Sequence, residues 1–340
     1  MIKIGIIGIG RTGSLHLEKL LQSDLYTVVG CFDADKSRLQ FIQEEFAIPC
    51  FENVEDLISE CDALDIASSV DSHLYYCELA LRKGKHIFLE KPLSNNLADA
   101  KKIMELVLEA GVKFQIGHID RFNPAFTHTF PEILHPTYIE VNRLKKLDLN
   151  KFHVDVVFDL MLNDIDLILK TVKANIKAIK ANGSIVLTDT IDIANARIEF
   201  DNGCIANLTA SRIGNENRSN ALFYQKDNLI EIDFLNRTSK ITSLSKQEIR
   251  LDEKDTFLHP EKKLLQATLD ISEETDMLRN AMDAFAMSLY MNKETAVTIH
   301  DAYKALEITT EILAQIHKNL STEERRELDM KPITNGGCAY

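Results

Sequence analysis

A glycine cluster close to the N-terminus, Gly8-Ile9-Gly10-Arg11-Thr12-Gly13, constrains the fold of this chain more than any other feature. It closes an apolar run (Ile2, Ile4, Ile6, Ile7) and opens a segment whose leucines Leu17, Leu20 and Leu21 recur at helical spacing. Strand, glycine turn and helix in that order form a phosphate cradle. The first glycine permits the tight turn, the second lets a pyrophosphate approach the backbone, and the third lets helix and strand pack closely. Unpaired N–H groups at the helix start then face the phosphates. A second apolar run, 26–32, ends in Asp33. A carboxylate about twenty residues beyond such glycines accepts hydrogen bonds from an adenosine ribose and repels a 2′-phosphate. Asp33 therefore favours NAD, while Lys36 and Arg38 leave room for NADP. The alternative for Asp33 is to cap a helix starting near Asp35.

The pattern continues through the first third of the chain. Strand-like runs at 49–51, 63–67, 86–89 and 113–117 alternate with amphipathic stretches at 36–46, 54–58, 73–82 and 97–109. Such alternation implies crossover connections and a doubly wound parallel sheet, the α/β Rossmann arrangement. After about residue 120 the period changes. Ala194, Ala196, Ile198 and Phe200 alternate with polar residues, then Asp201-Asn202-Gly203 leads into a second alternating run, a strong hairpin signal. Ile230, Ile232 and Phe234 add a further strand. A chain of 340 residues fits two domains. The expected division is a Rossmann domain over 1–120, an α+β domain with an open, mostly antiparallel sheet over 121–320, and a mobile tail over 321–340. At least one of two late amphipathic helices, around Phe285 and Leu306, is expected to return and brace the first domain.

Composition narrows the function classes. A net charge of −13 argues against nucleic acid as a partner. No apolar run reaches membrane-spanning length, and the chain enters its first strand directly after Met1, so cytoplasmic residence is expected. The six cysteines form no C-x-x-C pair and sit mostly in apolar runs, which reads as buried reduced thiols with no metal site.

Three constellations carry chemistry. Glu90-Lys91-Pro92 follows a predicted strand, at the sheet edge where ligands bind, and a lysine held there can exchange a proton with a substrate hydroxyl. Asp159 and Asn163, four apart in an apolar helical segment that also holds Asp164 and Asp166, share a face and can hold two hydroxyls of a polyol. Asp164 and Asp166 read equally as solvated. Gly117-His118-Ile119-Asp120-Arg121 lies where the domains join, so His118 either faces the reaction centre or makes a structural hydrogen bond, and Arg121 either contacts substrate or braces the junction. The basic run 143–146, with Arg212 and Arg218, offers charge for a diphosphate or a solvated face.

Together the glycine motif, the strand end Ala67-Ser68-Ser69 followed by His73, Glu90-Lys91-Pro92 and the Asp159 segment resemble the Gfo/Idh/MocA oxidoreductases, from Met1 to about Leu320. Gly117–Pro124 and 159–167 look most like the branch acting at C3 of UDP-N-acetylglucosamine or related nucleotide sugars. The resemblance implies an NAD(P)-dependent oxidoreductase acting on CH–OH groups, with a sugar or nucleotide sugar as substrate and dimers or tetramers formed through the C-terminal sheet. It implies catalytic roles for Lys91, Asp159, Asn163 and His118. Cofactor contacts are implied for Gly8, Gly10, Arg11, Thr12, Gly13, Asp33, Arg38, Ser68, Ser69, His73, Glu90 and Lys91. One departure stands out: the family helix reads D-x-x-x-H, and here Asn163 occupies the histidine position. An amide orients a hydroxyl but exchanges no proton near neutral pH. The same architecture serves non-catalytic, sugar-responsive regulators, which is the competing expectation.

Overall fold

The N-terminal apolar runs become five parallel strands in the computed structural model, which describes residues 1–148, 154–245, 263–270 and 275–320. The tail expected over 321–340, with Cys338, lies outside the described residues. The strands are β1 (Ile2–Ile7), β2 (Tyr26–Phe32), β3 (Ala63–Ile66), β4 (His86–Leu89) and β5 (Phe114–Ile116), in spatial order β2-β1-β3-β4-β5. Helices α1 (Arg11–Leu21), α2 (Lys36–Phe46), α3 (Val54–Glu60), α4 (His73–Arg82) and α5 (Leu97–Ala110) connect them. Three start where a short polar side chain takes an otherwise unpaired N–H: Asp35 accepts from Ser37, Asn53 from Glu55 and Asn96 from Asp99. The chain leaves β1 toward β2 and returns on the other side to β3. That reversal opens a crevice at the carboxyl ends of β1 and β3.

The strand expected at 49–51 does not form. Pro49 has no N–H to give a ladder, and only Cys50 bridges to Cys31, through Cys31 N–H to Pro49 O (3.0 Å) and Phe51 N–H to Cys31 O (2.9 Å). The lysine tripeptide therefore follows the fourth strand and Gly117 the fifth.

Beyond α6 (Pro124–Thr129) the second sheet begins with β6 (Pro136–Lys146), and α7 (Leu162–Thr171) follows. Then come β7 (Ile176–Ser184), β8 (Ile193–Phe200), β9 (Ile205–Gly214), β10 (Arg218–Gln225), β11 (Asn228–Asp233), β12 (Thr238–Ser245) and β13 (Lys263–Asp270). Their order is β13-β12-β11-β10-β6-β9-β8-β7. The expected hairpin joins β8 to β9, with Gly203 at φ +87° in its turn. At the centre of the sheet β6 and β9 run parallel, because α7, β7 and β8 supply the long crossover a parallel pair needs.

Two late helices tie the sheets together. From α8 (Met277–Tyr290), Ala281, Met282 and Phe285 pack with Ile4, Tyr26 and Phe88, and Gln115 donates to Ala281 O (2.7 Å). α9 (Ile299–Asn319) starts in a capping box between Thr298 and Asp301. Its first turns (Ile299, Ala302, Leu306) join the core under the parallel sheet, and Ala305, Ile308, Ile312 and Ile316 join the core under the second. Bracing of the first sheet is thus shared by both helices.

Candidate active site

A cleft of about 530 Å³ opens over the carboxyl ends of β1 to β4, and its lining joins the glycine turn, Asp33, Arg38, the serine-rich strand end, the lysine tripeptide, Lys145 and Asp159. The glycines divide their work as their geometry requires. Gly8 has φ +92°, and a Cβ there would lie 2.6 Å from the Ser68 backbone; a Cβ on Gly13 would lie 1.9 Å from Gly8 O. These two let the turn close and α1 pack. At Gly10 the nearest atom to a Cβ is the Arg38 guanidinium at 3.4 Å, so space remains for a group to approach the backbone. No side chain caps α1, and Ser14 donates to Gly10 O (2.9 Å), so the preceding N–H groups have no helical acceptor. A pyrophosphate fits such a cradle.

Asp33 does not cap the next helix; Asp35 does. One Asp33 oxygen accepts from Ile9 N–H (2.7 Å) and the other from Asp35 N–H (2.8 Å). The carboxylate thereby stiffens the glycine turn, and each oxygen keeps a lone pair for a ribose hydroxyl. Arg38 stands 3.8 Å from it and more than half exposed, next to a shallow second depression that Ser37 and Phe41 also line.

Across the cleft, Ser72 donates to Ser69 O (2.7 Å), and its Oγ lies 2.8 Å from Ser68 Oγ, which fixes the serine turn. His73 is buried with Nδ1 3.1 Å from Pro92 O and Nε2 3.2 Å from Ser68 O. Burial lowers its pKa and outweighs the carbonyl contacts, so the neutral ring donates to one of these two carbonyls.

Lys91 Nζ reaches over the cleft and donates to Asp159 O (3.4 Å). Asp159 lies in a single wide turn of π-helix, Val157–Met161, that precedes α7 where the sequence suggested a continuous α-helix. Such turns re-aim side chains at functional sites. Its carboxylate is 3.7 Å from Lys145 Nζ, so two lysines and an aspartate far apart in sequence meet at one end of the cleft.

Two other residues singled out in the sequence, Asn163 and His118, are not among the residues that line the cleft. Asn163 is half-buried and outside the lining residues. His118 is buried, with Nδ1 lacking a hydrogen-bond partner among the described residues. Desolvation lowers its pKa; Asp166 and Glu90 raise it while Arg121 and Lys91 lower it further. The ring is neutral.

The aspartates after Asn163 are not solvated. Asp164 is buried and accepts both Nε and Nη2 of Arg143 (2.8 and 2.6 Å), which also lies 2.9 Å from Asp120. Arg143 is thereby withdrawn from any diphosphate. Arg212 is withdrawn too: it donates to Val154 O and sits 3.8 Å from buried Asp192. Arg218 and Lys146 are exposed and outside the lining residues, which leaves Lys145 as the member of that set in the cleft. Asp166 pairs with Arg121 across the junction.

Sequence reasoning missed one cluster beneath the cleft. His16 on α1 lies between Asp65 in the middle of β3 and Glu90. A charged residue inside the apolar run 63–67 was the available signal, since a buried carboxylate needs a partner.

Residues 2–118 match the profile of an oxidoreductase family with an NAD-binding Rossmann fold. The chain is 31% identical over 241 residues to UDP-N-acetylglucosamine 3-dehydrogenase of Acidithiobacillus ferrooxidans, spanning 71% of this chain and 76% of that one. It is 25% identical over 229 residues to myo-inositol 2-dehydrogenase of Thermotoga maritima, spanning 62% and 69%. A solved structure of the Acidithiobacillus ferrooxidans enzyme superposes with a TM-score of 0.84 at 25% identity, covering 93% of this chain and 97% of that one. Scyllo-inositol dehydrogenase from Lactobacillus casei, solved with bound NAD(H) and scyllo-inositol, shares the fold at TM-score 0.75 and 18% identity, covering 94% and 98%.

Proposed function

We propose that this chain, which belongs to the Gfo/Idh/MocA oxidoreductase family, interconverts a secondary alcohol and a ketone on a sugar or nucleotide sugar, using NAD, with Lys91 as its acid and base. The observation that carries this reading is the reach of Lys91 across the cleft to the Asp159 turn, in the same cavity as the glycine cradle. The identity to a UDP-N-acetylglucosamine 3-dehydrogenase supports a nucleotide sugar oxidised at C3.

Gly10 and the start of α1 would hold the pyrophosphate, Asp33 the adenosine ribose, and the Ser68–His73 turn with Glu90 the nicotinamide end. A nicotinamide bound there would supply the hydride acceptor for oxidation of the carbinol carbon, and in its reduced form the donor for the reverse. Lys91 takes the hydroxyl proton in the forward direction and gives it back in reverse. Asp159 orients the sugar hydroxyls, and Lys145 beside it offers charge to a diphosphate. We infer dimers or tetramers through the second sheet, on the face that carries Tyr138 and Tyr224 and lies opposite the Ile139 and Val141 side chains. Spectrophotometric assay of NAD reduction against nucleotide sugars and free polyols, with a Lys91→Ala control, tests the activity.

Replacing Asp33 by Ala removes the ribose acceptor and also frees Ile9 N–H. NADH affinity is expected to fall by about tenfold or more, the scale of a charged hydrogen bond, and its lead over NADPH to narrow. Fluorescence titration of both nucleotides measures this; an unchanged ratio separates Asp33 from the ribose.

Asn163 favours a second reading, a non-catalytic sensor that binds dinucleotide and sugar. The two part at Asn163→His. In an enzyme, the restored imidazole is expected to keep or raise kcat, by up to about 10²-fold. Tight NADH binding with no turnover in either protein supports the sensor.

A further inference from the structure

We propose that His16 is a positioning residue: bound to Asp65 on one ring nitrogen, it aligns the Glu90 carboxylate with the other and so fixes the strand end that presents Lys91. The proposal rests on the reading of Lys91 given above.

The geometry is that of a buried clamp. His16 Nδ1 lies 2.9 and 3.1 Å from the two Asp65 oxygens, and Nε2 lies 3.4 Å from Glu90 Oε2. His16 and Asp65 are 1% and 0% exposed, whereas Glu90 is 20% exposed and lines the cleft next to Lys91. A ring whose two nitrogens both face carboxylates satisfies them only with two N–H groups, as an imidazolium. Glu90 has little freedom on its other side: a Cβ on Gly117 would lie 2.7 Å from Oε2, so the carboxylate occupies the slot that this glycine leaves. Other ionisable groups also face this clamp: the Tyr26 hydroxyl on β2 feels the Asp65 charge, and the buried His73 and His118 rings feel that of Glu90. The Phe88 ring packs against His16 in a T-shaped arrangement, with centroids 5.9 Å apart, and closes the apolar side. Asp65, His16, Glu90 and Lys91 thus alternate in charge from the middle of the sheet to the cleft, and the cation at His16 holds an anion beside the reacting lysine.

Burial works against the charge on His16, but Asp65 and Glu90 outweigh it and push the pKa up to about 10. Stability from this cation is fully present below the ordinary histidine range and is lost as pH rises through that value.

Two measurements test the proposal without any substrate. Imidazole ¹⁵N spectra, assigned with His16→Gln, should show His16 doubly protonated well above neutral pH, and Glu90→Gln should lower the pH at which that signal disappears. Acylation of Lys91, followed by peptide mass spectrometry against exposed Lys36, should change by about threefold or more in both His16→Gln and Glu90→Gln, and the double variant should add little, as members of one network do. NADH affinity of His16→Gln should stay within about threefold of the parent, while kcat falls and KM does not. A neutral His16 at neutral pH, or Lys91 reactivity unchanged in Glu90→Gln, overturns the proposal. If no sugar is turned over by the parent, the Lys91 reading fails, and the two substrate-free measurements still decide the role of His16.

Discussion

Lys91→Ala is expected to lower kcat by about 10²- to 10⁴-fold, the range spanned by one positioned acid–base group, while NADH binding changes little. The size follows from what surrounds the lysine. Asn163 exchanges no proton, Asp159 offers its backbone oxygen to Lys91 and its carboxylate to Lys145, and His118 stands outside the cleft lining. On the proposed mechanism the proton therefore falls on Lys91. Lys91→Arg separates charge from proton transfer. Arginine keeps the cation but holds its proton throughout the working range, so it should be nearly as slow as alanine. Steady-state kinetics with the nucleotide sugar, paired with fluorescence titration of NADH, distinguishes the outcomes. Parental kcat in Lys91→Arg means that the lysine acts only as a charge. A loss of NADH affinity parallel to the loss of kcat means that it binds cofactor and transfers no proton.

What the sequence disclosed about this site is what local geometry demands. Gly8 and Gly13 are legible because a side chain at either would meet backbone atoms at 2.6 and 1.9 Å, so the turn exists only with glycine. Lys91 is legible because the end of a parallel strand is where such a sheet opens. The rest depended on partners distant in the chain. Arg143 read as part of a basic surface run, and its burial against Asp164 and Asp120 is settled by the pairing of β6 in the sheet centre. His16 and Asp65 are separated by 49 positions, and neither shows its purpose until α1 lies on β3. Pro49 misled in the opposite direction: the apolar residues near it resemble a strand, but the missing N–H stops the ladder at a single bridge.

Replacing Arg121 by Leu is expected to destabilise the protein by about 3–5 kcal/mol, the cost of stranding a buried charge whose partner is removed. Arg121 is 4% exposed at the junction of the two sheets. Its Nε and Nη2 donate in parallel to the two oxygens of Asp166 on α7 (2.7 and 2.6 Å), and Nη1 donates to Ala296 O (2.9 Å) and Asp301 on α9 (3.1 Å). One guanidinium therefore ties the end of the parallel sheet to two helices, and leucine fills its volume while leaving Asp166, 1% exposed, without that partner. Arg121→Lys should recover only part of the loss, because an ammonium cannot make the two-pronged contact. The pH dependence has a definite sign. Burial opposes the charge on Asp301, but Arg121 and the Thr298 N–H outweigh it and hold the carboxyl below its ordinary value. Stability from that depressed pKa is present above the unfolded value and lost as pH falls through the folded one. The deficit of the leucine variant should thus be greatest near neutral pH and shrink in acid. Urea denaturation across that range reads it directly. A deficit under about 1 kcal/mol, or one that grows in acid, would mean that apolar packing of α9 holds the junction and the buried charges are incidental to it.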